Sequence, residues 1–378
     1  MTGHIETREL KAALKRLSAF HDSKPKLPIL DCVHVNIHYG LARLTVFDLE
    51  KSLTVKVAID SANPCSITVR FRDLRKIIDK VKSDAVGFDF QTSTDEPKLT
   101  ISAGKLQFKL NAKPGDMFPK LPEPDTLQAV TDTAWSDFTG EATFVKSATE
   151  PDGARDYTNG ILFAYKSGTL ELVGTDGRRL HLSKITGTHK LENGRDSHAS
   201  LVPTPTIHAM TRLNLDPGAS VRFGFGDDFM AWSIPSEGIE GISHLLDTPY
   251  PDYDKVVPDD CTSRFKLDTG ATIECLDALA IVATQSDGRD MVVVNANGTL
   301  NLSARSDTMG EASGIVPCVH LDGPEAIFAL NIHYMIETLK LADKREVVMS
   351  NSGSLEPVRF DYRDTDRIAV VMPVRLPD

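Results

Sequence analysis

Cysteine is scarce and poorly placed for pairing: Cys32, Cys65, Cys261, Cys275 and Cys318 are odd in number, far apart and without a CxxC pair. That argues against a disulfide framework or a zinc site and favours free, mostly buried thiols in a reducing cytosol. Long apolar runs are lacking too. The opening stretch MTGHIETRELKAALKRL scatters charges through its apolar positions, so neither a secretion signal nor a membrane span is expected, and no later window is apolar for long enough. Positive charge is in deficit, with a net charge of −11. Taken alone this argues mildly against a nucleic-acid partner, but net charge governs solubility while binding depends on where the charges sit. No low-complexity tract occurs. With 41% hydrophobic and 25% charged residues, the 378-residue chain should fold throughout, as two or three domains with their own cores.

Catalytic signatures are missing as well. There is no GxSxG, HExxH, Walker loop or kinase set. Gly224-Phe225-Gly226 has two glycines of a nucleotide fingerprint, but Phe229 stands where the third belongs and no helix pattern follows, so a hairpin is the better reading. His34 and His38 have a metal-ligand spacing for a helix, yet they fall in an alternating strand with Asn36 on the same face. Asp227-Asp228 and Asp259-Asp260 read as acidic turns rather than two-metal sites. The expected inventory is no catalytic residue, no metal and no cofactor.

What the chain does have is a repeat. Gly168 to Ile185, GTLELVGTDGRRLHLSKI, reads as an alternating strand with Leu170 and Leu172, a break at Thr175-Asp176-Gly177, and a second strand carrying Arg178, Arg179, Leu180 and Leu182. Gly40 to Asp48, GLARLTVFD, keeps the same frame of Gly, Leu and Asp at steps of four; Gly298 to Ser306, GTLNLSARS, keeps Gly and Leu and puts Ser in place of Asp. Gly168 follows Gly40 by 128 residues and Gly298 follows Gly168 by 130, close to a third of the chain. Three copies of one unit are expected.

Each third offers two helical patterns. They are Thr7 to Phe20 and Phe71 to Lys82, then Trp135 to Lys146 and Pro203 to Leu213, then Thr269 to Gln285 and Asn331 to Ala342. The first pair combines an apolar stripe with a basic one: Leu10, Leu14 and Leu17 against Arg8, Lys11 and Lys15, and Leu74, Ile77, Ile78 and Val81 against Arg72, Arg75, Lys76 and Lys80. The later helices are thinly basic; only the last ends in lysines, Lys340 and Lys344. Short alternating runs such as Val33 to His38, Val86 to Phe90, Lys98 to Ile101, Leu106 to Leu110, Val221 to Phe225 and Met291 to Val294 read as antiparallel strands. Linkers are plausible at Pro119 to Pro124 and Val256 to Asp260. The basic faces, with Lys24 and Lys26 between them, suit non-specific contact with a phosphate backbone, and equally suit a solvated surface. The terminal run Ile368 to Leu376, IAVVMPVRL, is either tied into a sheet or used as a binding surface.

Four segments resemble one family. Leu27 to Leu30 is similar to its LPIL, Thr175 to Leu180 (TDGRRL) to its TDGHRL, Tyr250 to Pro258 (YPDYDKVVP) to its FPDYRRVIP, and Val370 to Leu376 (VVMPVRL) to its terminal VVMPMRL. The family is the bacterial sliding clamp, the beta subunit of DNA polymerase III. The resemblance spans all three thirds in order. It implies an α+β fold of three repeated domains, 1–122, 123–258 and 259–378, each with two helices packed on antiparallel sheets, in a head-to-tail homodimeric ring. It implies a cytoplasmic, non-catalytic processivity factor that encircles duplex DNA without reading sequence. Its partners would be the replicative polymerase, the clamp loader and repair proteins, tethered through short clamp-binding peptides.

Carried over residue by residue, the resemblance gives a peptide-binding cleft of Thr175, Gly177, Arg178, Arg179, Leu180, Pro251, Val256, Val257, Asn331, Tyr334, Leu355, Pro357, Val370, Met372, Pro373, Val374, Arg375 and Leu376, with Arg155 and Tyr157 on its rim. DNA contacts would fall on Lys24, Lys26, Arg72, Arg75, Lys76 and Tyr157, and the ring seam would set Phe108 and Leu110 against Ile281. The chain departs from the family pattern at Arg178, where histidine is usual, at Asp254, where a basic residue is usual, and at Asp156, often an aromatic. Pro377 and Asp378 extend past the usual terminal leucine. Because the Thr269 to Gln285 helix has Glu274 and Asp277 and no lysine or arginine, DNA contact is expected mainly from the first third. A clamp-derived peptide-binding or decoy paralogue outside bulk replication is the alternative.

Overall fold

The computed structural model describes residues 2–60, 64–91, 97–122, 128–166, 168–191, 196–283, 290–343 and 345–376. Lys344, Pro377, Asp378, Gln285 and Pro124, each part of an expectation above, lie outside the described residues.

Apolar periodicity places the six expected helices, four of them with ends drawn in by one to three residues and Trp135–Lys146 with its expected limits. α1 (Thr7–Leu17) buries Leu10, Ala13, Leu14 and Leu17, and α2 (Phe71–Lys80) buries Phe71, Leu74 and Ile78 while Arg72, Lys76 and Lys80 stay exposed. The expected continuation of α1 to Phe20 is a turn instead, although Phe20 itself is buried. α3 (Trp135–Lys146) packs Phe138, Ala142 and Val145 inward. α4 (Thr204–Thr211) has a proline in its first turn, where a missing N–H costs nothing. α5 is Thr269–Ala283 and α6 is Ile332–Lys340, the latter capped by the Asn331 side chain accepting from the Tyr334 N–H at 3.1 Å.

The repeat is visible in the backbone. Gly40, Gly168 and Gly298 all adopt left-handed φ, at 75°, 80° and 99°, each at the hairpin turn that starts its strand. Eight residues later the second turn also repeats. The Asp48 carboxylate accepts from the N–H groups of Glu50 and Lys51 at 3.0 and 2.7 Å, and Asp176 accepts from Arg178 and Arg179 at 2.8 and 2.9 Å. In the third copy the Ser306 hydroxyl accepts from Thr308 and Met309 at 3.3 and 3.4 Å, so serine stands in for aspartate with longer bonds. These turns correct one expectation: Arg178 belongs to the turn, and the strand begins at Arg179.

Packing groups the chain into two compact units: Met1–Gly140 with Tyr165–Thr169 and Thr186–Asp247, and Glu141–Ala164 with Leu170–Ile185 and Thr248–Asp378. The first unit is built on one antiparallel sheet of thirteen strands. At its middle, Lys51–Ala58 pairs with Ile239–His244, joining strands far apart in sequence. In the second unit Arg179–Ile185 pairs with the C-terminal strand Ile368–Val371, which pairs in turn with Val358–Tyr362. Ala369, Val370 and Val371 are fully buried there. The strand therefore stops short of the expected Leu376: Pro373 cannot donate to a ladder, and beyond it Val374 reaches back, its N–H bonded to the Ala329 carbonyl at 2.8 Å.

Candidate functional site

The second unit holds a cleft of about 200 Å³ at the TDG turn. Its floor is Leu180 and Val370, cross-strand partners that are 4% and 0% exposed, and its walls are Pro251, Val256 and Met372. Arg155, Tyr157, Thr175, Gly177, Arg178 and Arg179 complete the expected members that line it. Thr175 locks the turn, its hydroxyl donating to the Arg179 carbonyl at 2.6 Å and accepting from the Gly177 N–H at 3.0 Å. Gly177 has φ of 84°, and the Arg155 guanidinium lies over it, 2.9 Å from where a Cβ would stand. Arg155 Nη1 also donates to the Tyr157 hydroxyl at 3.0 Å.

Arg179 is the best-held cation here. It donates to Asp176 at 3.0 Å, pairs with Glu337, and stacks 4.5 Å over the Tyr334 ring. A hydrogen bond to Tyr334 raises the Arg178 pKa, so both arginines converge on α6 beside the cleft. The Met372 N–H donates to the Arg178 carbonyl at 2.8 Å, fixing the point where the terminal segment leaves the sheet. Met372 itself is 39% exposed, an apolar side chain at the mouth.

Other expected members sit apart from this pocket. Asn331 caps α6 beside Tyr334, which Arg178 and Arg179 reach, Val374 is half-buried, Arg375 and Leu355 are exposed, and Val257, Pro357, Pro373 and Leu376 are half-buried outside the lining. Tyr250 and Tyr253 line the cleft and were not expected. Tyr253 donates to Glu171 at 2.8 Å, and Tyr250 stacks edge-on against Tyr157 with ring centroids 6.0 Å apart. Their signal lay inside the YPDYDKVVP segment, where two tyrosines three apart fall on one side of a short turn.

The expected DNA residues lie in the first unit apart from Tyr157. Lys24, Lys26, Arg72 and Lys76 are exposed, and Arg75 is half-buried beside Asp79 at 3.6 Å. Asp31, almost buried, receives Arg70 at 2.7 Å, His21 at 3.2 Å and Arg72 at 3.4 Å, so Arg72 is partly compensated. Lys11 turns from the surface to donate to the Val81 carbonyl at 2.7 Å. Tyr157 lines the cleft, away from α1 and α2 in the chain. At the expected seam Phe108 and Leu110 are half-buried on strand Leu106–Pro114, and Ile281 on α5 is 63% exposed. His34 donates or accepts at Ser66 over 2.9 Å and stacks on Phe118; among the described residues no group of three His, Cys, Asp or Glu side chains could hold a metal.

Models of three domains match consecutive segments: the DNA polymerase III beta subunit N-terminal domain at 1–122, central domain at 141–252 and C-terminal domain at 254–375. The chain belongs to the DNA polymerase III beta subunit family. Its three matched segments carry α1 and α2, the second half of α3 with α4, and α5 with α6, so each repeated domain has two helices packed on antiparallel sheets. The beta sliding clamp of Pseudomonas putida is 28% identical over 98% of this chain and 99% of its own length, and that of Escherichia coli is 25% identical over 98% and 99%. The crystal structure of the DNA polymerase III subunit beta from Pseudomonas aeruginosa covers both chains completely at TM-score 0.90 and 26% identity. The function that goes with this family is that of a DNA sliding clamp, and the dimeric ring is the arrangement known for such clamps. Sliding clamps of this family are processivity factors and generally non-catalytic. No helix among the described residues is long and apolar enough to cross a membrane.

Proposed function

We infer that two copies of this chain close head to tail around duplex DNA and tether a replicative polymerase, the chain itself doing no chemistry. What carries this reading is the order and completeness of the three family segments, which leave little of the chain unmatched. We place the domain limits at 1–122, 123–258 and 259–378 and the protein in the cytoplasm.

The basic face of α1 and α2 with Lys24 and Lys26 supports the DNA contact. Several lysine–phosphate pairs release counterions without reading bases, so the ring holds and still slides. Two strand edges support the seam. Residues 106–111 of Leu106–Pro114 pair only with Lys98–Ala103, and residues 310–317 of Gly310–Asp322 pair only with Thr299–Ser306, which leaves one side of each open among the described residues. Phe108, Leu110 and Ile281 lie on or near these elements.

The cleft at Leu180 and Val370 is assigned to short extended peptides from the polymerase, the clamp loader and repair proteins. An apolar floor, an exposed methionine at the mouth and arginines on the rim suit a peptide with apolar anchors. Tethering then raises the effective concentration of polymerase at the primer end, which is the whole mechanism of processivity.

The test is native mass spectrometry at micromolar concentration together with retention on nicked circular DNA in the presence of a clamp loader. Twice the chain mass and retention until the DNA is linearised are expected. Monomer alone, with no retention, overturns the reading.

A further inference from the structure

The first unit contains another cleft, of about 860 Å³, roofed by the segment from Gly115 to Pro122. It stands where the repeat places a second copy of the cleft already described. Adding 128 to Asp48, Lys51, Ser52 and Ile242 gives Asp176, Arg179, Leu180 and Val370. The register agrees: Ser52 pairs with Phe47 and Ile242 just as Leu180 pairs with Thr175 and Val370. Asp48 and Lys51 form the same turn ion pair as Asp176 and Arg179.

The floors differ in chemistry. Where the second cleft has the Leu180 isobutyl group, this one has the Ser52 hydroxyl, 1% exposed and without a hydrogen-bond partner. Beside it lie two more buried hydroxyls, Thr45 and Thr54, bonded to each other at 2.8 Å. An orphaned buried hydroxyl costs free energy that a ligand oxygen would recover. Apolar surface is still present in Phe118, Leu121, Val130 and Ile242. Charges on the floor are matched internally, Glu240 by Arg43 and Lys56 and Arg222 by Asp132. On the roof Asp116 and Lys120 carry opposite charges. A neutral polar group therefore fits better than a carboxylate or an ammonium.

We propose that this first-unit cleft is a second peptide site, taking a segment whose inward side chain ends in a carboxamide where the other cleft takes an aliphatic one. The proposal rests on reading the Leu180–Val370 cleft as a peptide site. The carboxamide oxygen accepts from Ser52, its NH₂ group donates to the threonine hydroxyls, and a neighbouring apolar side chain packs under Phe118 and Leu121. A closed ring would then present two kinds of docking site per chain, able to hold different partners at once.

Asparagine and leucine are nearly isosteric, which makes a clean pair of probes. The full-length protein, labelled at Ile, Leu and Val methyl groups, is titrated with acetyl-Ala-Asn-Ala-Phe-amide and acetyl-Ala-Leu-Ala-Phe-amide. The asparagine peptide is expected to move the Ile242 and Val130 methyl signals and the leucine peptide those of Val370 and Leu180. Ser52→Ala should weaken the asparagine peptide about tenfold, as a lost buried hydrogen bond does, with leucine-peptide binding retained and thermal stability equal or higher. If the leucine peptide moves Val370 while the asparagine peptide leaves Ile242 still, the proposal fails and the first reading stands. If neither peptide moves either set, both fall. A Ser52→Ala protein that melts lower yet binds normally shows a structural hydroxyl and also overturns the proposal.

Discussion

Asp176 holds Arg179 twice, its carboxylate accepting the Arg179 backbone N–H at 2.9 Å and the side-chain Nε at 3.0 Å. Both side chains are about nine-tenths covered, 9% and 10% exposed, so removing the carboxylate leaves two N–H groups without their acceptor and the guanidinium with only Glu337 and the Tyr334 ring. Asp176→Ala should cost about 2–4 kcal/mol, whereas Ser306→Ala, at the equivalent turn with longer bonds, should cost less than about 1 kcal/mol. Urea unfolding of the two variants checks the ordering. Equal losses would mean that the turn bonds, and not the ion pair, set the cost at both turns.

The repeat glycines and the TDG turn were legible because left-handed φ and Asx turns are demanded by a few residues acting locally. Helix positions were legible for the same reason, each stripe being complete within its own segment. Two kinds of feature were hidden. Lys51–Ala58 pairs with Ile239–His244 across a long stretch of chain, which no local periodicity encodes. Lys11 and Arg72 looked like free surface cations, yet one is taken by the Val81 carbonyl and the other is shared with Asp31. Within the cleft, Leu180, Val370 and Met372 came through motif resemblance, while Tyr250 and Tyr253 stayed unseen because their role depends on a turn packing back onto Tyr157 and Glu171.

Arg72 and Lys76 should contribute unequally to DNA binding. Arg72 already lies 3.4 Å from the Asp31 carboxylate, and Lys76 has no such partner among the described residues. A cation that keeps its own anion releases less from the DNA atmosphere. Lys76→Ala is expected to lower the slope of log affinity against log salt by about 1, and Arg72→Ala by clearly less. Fluorescence anisotropy on a primed duplex across a salt series measures both. A larger effect at Arg72 would place the DNA on the Asp31 side.

His181 makes the second unit sensitive to acid. Its ring is 0% exposed, stacked on Phe144 at 4.9 Å, with Nδ1 3.1 Å from the Phe144 carbonyl and 3.0 Å from the Ser147 hydroxyl. Burial pushes its pKa down to about 3, and the Arg179 charge acts in the same direction. The unfolded chain binds this proton near pH 6.5, so stability is full above that pH and falls as pH drops toward 3, by about 1.4 kcal/mol per unit. Between pH 7.5 and 5.0 the protein should lose about 2 kcal/mol more than His181→Gln. Urea midpoints at the two pH values measure the difference, and parallel losses would assign the acid sensitivity to other groups.

Ile281 separates the seam from the fold. It is 63% exposed on the outer side of α5, so a charge there buries nothing within its own protomer. Ile281→Asp should therefore change protomer stability by no more than about 0.5 kcal/mol. At a two-chain interface the same carboxylate would be desolvated against apolar partners, where an unpaired buried charge costs several kcal/mol. Size-exclusion chromatography with light scattering should show the variant shifting to the single-chain mass at micromolar concentration, with loss of retention on circular DNA. Peptide binding at the Leu180–Val370 floor should survive, because no residue of α5 lines that cleft. A variant that stays at twice the chain mass would move the seam away from α5 and leave the open edges at 106–111 and 310–317 to carry it alone.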